Sequence, residues 1–263
     1  MKKTLIALVA LAGVACGADG DLTQIYDFQG IRNTNTGSGN LIENTTDYDR
    51  TVFDMKDAPV YANITNSTIT NILNGTDQNT CLTLAFWVNY NKATAGQQML
   101  FGWGENGKGI KFGIDNGAIC GTTKNVESIT NGTVTNDEWS LIAVTYKSGT
   151  TLVDNVETPC LTMILRDVSD DATYLYSNKT YNVPATGGDV FSILSGSTRS
   201  HTEAYKGLLG GVGIFTSTGN VGNVTNAAIA EAMGPAPVLI PEPATATLSL
   251  LALAGLAARR RRR

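Results

Sequence analysis

From Thr80 onward the chain alternates between short apolar stretches and turns rich in Asn, Gly and Asp. Leu82, Leu84, Phe86 and Val88 fall on one face at a period of two, which predicts a strand. Residues 98–103 and 109–115 predict two more, and the Asn116-Gly117 pair predicts a hairpin turn into a return strand over 118–123. Residues 139–146 are almost wholly apolar, as expected of a central strand covered on both faces. Alternation returns over 161–166 and 190–194. A last strand spans 206–215, and its glycines predict close packing or a bulge. Residues 22–28 predict the first strand. The polar stretch from Gly30 to Thr80 predicts long loops with brief edge strands at 51–53 and 60–61, and residues 148–159 read as irregular.

One helix is expected in this body. It starts at Val224 with Thr225 as N-cap, continues through Ala227, Ala228, Ile229, Ala230, Ala232 and Met233, and stops at Gly234-Pro235. Many strands at short spacing and one short helix predict an all-β, two-sheet antiparallel jelly-roll sandwich.

The two ends follow other rules. Lys2 and Lys3, an apolar run over 5–14, and the small residues Ala15, Gly17 and Ala18 form a secretory signal peptide over 1–18, addressed to the Sec machinery. Cys16 opens a lipoprotein alternative, although the residues before it lack the usual leucine. The organisation expected is therefore a signal helix (1–18), the β body (19–233), a linker (234–240) and a terminal segment (241–263).

That terminal segment has three parts in order: Pro241-Glu242-Pro243, an apolar run over 244–258, and Arg259, Arg260, Arg261, Arg262 and Arg263. The prolines cannot continue a helix and keep the strip extended. The 15-residue run spans about 22 Å as a helix, short against a hydrocarbon core of about 30 Å. The arginines stay on the cytoplasmic side and stop transfer. This layout resembles the PEP-CTERM sorting tail of exported bacterial proteins. The resemblance implies recognition by an exosortase-type membrane protease, cleavage near Pro241-Glu242-Pro243, and delivery to the cell envelope or an extracellular polysaccharide matrix. An ordinary C-terminal anchor is the other reading.

Removing the ends changes the charge. The whole chain has 19 basic and 23 acidic residues; without Lys2, Lys3, the five terminal arginines and Glu242 the body keeps 12 and 22, a net charge near −10. Such a body lacks the basic footprint that nucleic acid or an anionic lipid surface requires. Cys81, Cys120 and Cys160 permit one disulfide and one leftover thiol in any of three pairings. Their wide spacing and the single histidine, His201, argue against a zinc site.

The order of the central pieces resembles the laminin-G-like, concanavalin-like jelly-roll family over about residues 21–233. The carrying residues are Leu82-Thr83-Leu84-Ala85-Phe86-Trp87-Val88, Leu100-Phe101-Gly102-Trp103-Gly104, Gly113-Ile114-Asp115-Asn116-Gly117, the run from Asp137-Glu138-Trp139 to Tyr146, and the glycine-rich run from Lys206 to Phe215 with its following helix. The departures are the long polar insert before Thr80 and the stretch 148–159. The resemblance implies two curved sheets with the first and last strands adjacent. It also implies a binding role toward glycans, glycosaminoglycans or proteins, in some members with one calcium ion. Hydrolase relatives carry Glu-x-Asp-x-Glu on one strand, a run this chain lacks.

Candidate chemistry is sparse. Glycoside hydrolysis needs two carboxylates flanking the bond, whereas Asp137-Glu138 and Asp170-Asp171 read as turns and Glu203 stands near His201 without a second acid. No enzyme is expected. Asp115, Asp167, Asp170 and Asp171 are the residues able to supply oxygen to calcium, but turn chemistry is the favoured reading of each; no cofactor is assigned. Trp87 and Trp139 read as core. Trp103, at a strand end, is the candidate for a ligand-stacking face. The function expected is an exported envelope or matrix module that binds carbohydrate or extracellular polymer. The alternatives are a structural matrix protein without a small ligand and, last, a glycoside-active enzyme.

Overall fold

The computed structural model describes residues 21–27, 44–45, 48–55, 62–91, 96–104, 109–122, 129–178, 190–195 and 203–240. The signal segment, the sorting segment with Pro241, Glu242, Pro243 and the arginines, and His201 lie outside them.

Among the described residues the first four strands are short: β1 (Thr23–Asp27), β2 (Asn44–Thr45), β3 (Val52–Asp54) and β4 (Ala62–Thr65). Helix α1 (Ser67–Leu73) precedes β5 (Thr80–Tyr90), β6 (Gln97–Trp103), β7 (Ile110–Asp115), β8 (Ala118–Thr122) and β9 (Ile129–Asn131). The longest pair, β10 (Trp139–Val153) and β11 (Val156–Asp167), leads to β12 (Ala172–Asn178), β13 (Val190–Ile193), β14 (Gly207–Thr218) and α2 (Asn226–Met233). The chain is an all-β sandwich of two antiparallel sheets. The eight-stranded sheet runs β12-β11-β10-β5-β14-β3-β2, and β1 joins the far half of β14 beside β3. The six-stranded sheet runs β4-β13-β6-β7-β8-β9. First and last strands are adjacent, with Thr23 opposite Thr216.

Period-two alternation places Leu82, Leu84, Phe86 and Val88 in the layer between the sheets, with Ile142, Val144 and Tyr146 beside them and Phe101, Phe112 and Phe191 opposite. Phe86 meets Phe112 at 5.9 Å between ring centres, and Phe101 meets Phe191 at 5.7 Å. Each fully buried phenylalanine contributes about 1.5–3 kcal/mol by removing apolar area from water. The hairpin β7–β8 turns on Asn116 (φ 49°) and Gly117 (φ 89°), two positive values that suit the twist of the flanking strands.

Strands β5, β10 and β14 are covered on their outer face too. Ala85, Trp87, Leu141, Ala143, Val168 and Phe215 form a second apolar layer with Val224 and Ile229 of the C-terminal segment. Thr225 caps α2 as the sequence predicts, its Oγ1 accepting from the Ala228 amide at 3.1 Å, and Gly234 ends the helix at φ 66°. The predicted bulge in the last strand is real: the β14–β5 register shifts between Leu209 and Gly211. A Cβ on Gly210 would lie 2.3 Å from Pro237 Cγ, and one on Gly213 would lie 2.5 Å from Met233 Sδ. Glycine there makes a smooth strip on which the C-terminal segment lies.

Three expectations need correction. A second helix, α1, stands within the stretch read as loops. Asn66 caps it by accepting from the Ile69 amide at 3.2 Å, and Ile69, Ile72 and Leu73 are buried at helical spacing. Seven residues rich in Thr and Asn have little intrinsic helicity, so packing against β5 and β10 sustains it. Residues 148–159 are not irregular: β10 and β11 stay paired to Val153–Val156 and turn on Asp154 (φ 51°) and Asn155 (φ 63°). Strand β12, which periodicity did not single out, pairs with β11 from Leu161 to Asp167. Among the described residues Cys81, Cys120 and Cys160 are not joined in a disulfide; Cys81 and Cys120 are buried and Cys160 is half-buried.

Candidate functional site

Strand β11 puts Met163 and Leu165 into the inter-sheet core and therefore Ile164 and Arg166 on the outer face. That face would leave a guanidinium in water, but the turn Val221–Asn223 and the start of α2 lie over it. Arg166 is 3 % exposed. Its Nη1 donates to Asn226 Oδ1 and its Nη2 to the Val221 carbonyl, both at 3.1 Å. Asn226 Nδ2 in turn donates to Asp171 Oδ1 at 2.9 Å. Among the described residues no carboxylate comes within ion-pair distance of Arg166, and its Nε is buried without a hydrogen-bond partner. Burial pushes the guanidinium down to about 10. A buried cation with only neutral acceptors is costly, because lost hydration is not repaid by an opposite charge.

Over this group opens a groove of about 300 Å³. Ile164, Gly222 and Val224 supply its apolar part, and Thr173, Thr225, Asn226 and Asp171 its polar part. Thr225 Oγ1 already accepts from a helix amide, so its hydroxyl hydrogen remains available to donate. Asp171 sits at φ 53° in the β11–β12 turn and is exposed. Hydroxyl donors and a carboxylate acceptor on an apolar floor suit a polyhydroxylated ligand. Among the described residues Asp171 is the one carboxylate lining the groove, whereas glycoside hydrolysis requires a pair.

Of the candidate ligand residues singled out in the sequence, Asp171 lines this groove and the others described do not. Trp103 is corrected from ligand contact to core: it is 1 % exposed between the sheets. Its strand-end position points to the surface only when the opposite sheet is ignored. Trp87 packs in the outer layer, where its Nε1 donates to the Gly234 carbonyl at 3.2 Å, and Trp139 lies beside it with Tyr48 edge-on at 5.7 Å. Asp115 belongs to the six-stranded sheet, where its carboxylate accepts from Gln97 and Asn116; Asp167, Asp170 and Asp171 belong to a turn of the eight-stranded sheet. Asp167 is buried, and burial raises its carboxyl above the usual value while the Asp170 amide bonds Oδ1 at 3.2 Å. Among the described residues no group of three or more His, Cys, Asp or Glu is placed to hold a metal ion. Glu203 pairs with Lys111 at 2.5 Å. Sequence reading passed over Arg166 because a lone arginine in an alternating strand looks solvent-facing; its cover comes from residues more than fifty positions later.

No protein-family model matches the chain, and no curated protein matches it. Solved structures do resemble it in shape. The receptor binding domain of botulinum neurotoxin mosaic serotype C/D aligns at TM-score 0.45 and 11 % identity over 78 % of this chain and 50 % of its own. The binding domain of botulinum neurotoxin DC, solved with rat synaptotagmin II, aligns at 0.48 and 10 % over 80 % and 52 %. The CBM40 of Ruminococcus gnavus IT-sialidase aligns at 0.38 and 11 % over 82 % and 98 %. The chain spans about half the length of the toxin domains it matches. At these values the likeness identifies neither a ligand nor a partner for this chain.

Proposed function

We propose that the protein is an exported binding module, addressed by its signal peptide to the Sec machinery and by its Pro-Glu-Pro tail to an exosortase-type protease, and that it holds a carbohydrate or extracellular polymer at the cell envelope or in the surrounding matrix. The observation that carries the binding reading is the groove over Arg166: hydroxyls of Thr173 and Thr225 and the Asp171 carboxylate on an apolar floor. The tail reading rests on the order of proline strip, apolar run and arginines. The body's charge near −10 favours neutral glycans over polyanions as the ligand.

A glycan array on residues 19–240, with and without calcium, tests the binding reading. A neutral glycan is expected to bind, and Thr173→Ala and Asp171→Asn are each expected to weaken it about tenfold, the loss of one hydrogen bond to the ligand. Binding that both substitutions leave unchanged places the ligand elsewhere. Binding to nothing on the array supports the rival reading, a structural matrix protein, which the burial of Trp87 and Trp103 favours because neither offers a stacking face.

A further inference from the structure

Residues 234–240, expected to be a linker, are hydrogen-bonded to the body. Pro237 occupies the space that a side chain on Gly210 would need, and the Trp139 ring borders the same space. Val238 exchanges two hydrogen bonds with Asp49: its carbonyl accepts from the Asp49 amide and its amide donates to Asp49 Oδ1, both at 2.9 Å. Leu239 forms a β-bridge with Tyr48. The docked strap nevertheless leaves Val238, Leu239 and Ile240 at 59 %, 60 % and 51 % exposure, three consecutive large apolar side chains turned to solvent, whereas the other exposed ones among the described residues, Leu152, Val156, Leu175 and Val190, are not consecutive in the chain.

Chain length says what lies against them. Four Cα steps separate Ile240 from Ala244, the first residue of the apolar run. Fully extended they reach about 14 Å. On the anchor reading the run would span about 22 Å as a helix, shorter than the hydrocarbon layer, which would draw its flanks inward. The headgroup zone is about 5–8 Å thick on each side. A strap fastened to the body and tethered this closely is held within about 14 Å of the hydrocarbon, near enough for its apolar side chains to reach the headgroup zone.

We infer that, while the tail is uncut, Val238, Leu239 and Ile240 rest on the lipid surface and hold the body with the Trp139 end of β10 toward the membrane. This rests on the reading of residues 244–258 as a membrane anchor and adds an orientation to it. Thirteen residues separate Trp139 from Leu152 along one strand, about 43 Å, so the β10–β11 hairpin tip with exposed Leu152 and Val156 points away from the bilayer. The contact is apolar, so it does not require anionic lipid.

The test uses the full chain reconstituted in phosphatidylcholine vesicles that carry a brominated acyl-chain quencher. Leu239→Trp and Leu152→Trp are compared, each against the unsubstituted protein so that the three native tryptophans cancel. Added fluorescence from position 239 is expected to be quenched and that from position 152 to be untouched. In a control with the anchor disabled by Leu250→Asp and Leu253→Asp, quenching at 239 is expected to disappear. Equal quenching at both positions in protein that resists alkaline extraction overturns the orientation and leaves the anchor standing, as does quenching at 239 that survives the control. Protein released by alkaline extraction instead removes the anchor, and the inference with it.

Discussion

The two faces of β5 are built on different principles. Its inner face is a row of large apolar side chains meeting another such row, Phe86 against Phe112, in the layer that closes the sandwich. Its outer face is a thin layer in which Ala85 and Trp87 lie beneath a short helix and a strap, next to a glycine strip. The inner layer depends on area buried and tolerates no loss of volume. The outer layer depends on fit: a missing Cβ at Gly210, a cap at Thr225, and a guanidinium bonded across to Asn226. Everything proposed for binding or for membrane contact lies on the outer layer, where local changes leave the sandwich intact.

The contrast predicts a gradient of effects. Phe86→Ala leaves a cavity between the sheets and is expected to cost about 3–5 kcal/mol in urea unfolding; a cost near 1 kcal/mol would mean that the two layers do not differ. Gly210→Val drives a side chain into Pro237 and is expected to cost about 1–3 kcal/mol. Its effect should be local, with faster hydrogen exchange at the Asp49 and Val238 amides and unchanged exchange in β7. Loss of protection spreading into the six-stranded sheet would show that the strap is part of the main core. Thr225→Ala removes the α2 cap and is expected to cost about 1 kcal/mol, read by the same denaturation.

The smallest effect is a pH dependence. Burial raises the Asp167 carboxyl in the folded protein, so the native state holds its proton more tightly than the unfolded chain does. From that residue alone stability is highest below the ordinary value of 3.8 and falls as pH rises from there through the raised value. Asp167→Asn keeps an oxygen for the Asp170 amide and removes the titration. Its stability relative to the wild type is therefore expected to improve across that window and then level off. A constant difference from pH 3 to 7 would show that Asp167 does not titrate differently in the two states.

Much of this gradient can be read from residue order. Alternation from Leu82 to Val88 assigns the inner face, Asn116-Gly117 marks its hairpin, and Thr225 and Gly234 bracket the helix, because each is a local preference of backbone or side chain. Helix α1 was within reach, since Ile69, Ile72 and Leu73 follow Asn66 at helical spacing, but seven residues carry too weak a signal among so many Thr and Asn. The hairpin over 148–159 was hidden for another reason: near its tip one face is exposed and the other only half-buried, so the sequence there carries no apolar stripe.

Periodicity says which residues share a face, and it says so from neighbours along the chain. It does not say what will cover that face. Trp103 becomes core because the opposite sheet closes over it, Arg166 is buried because Val221 and Asn226 arrive from more than fifty residues away, and Gly210 matters because Pro237 lands on it. Burial is a property of two surfaces that meet, and a single stretch of chain encodes only one of them.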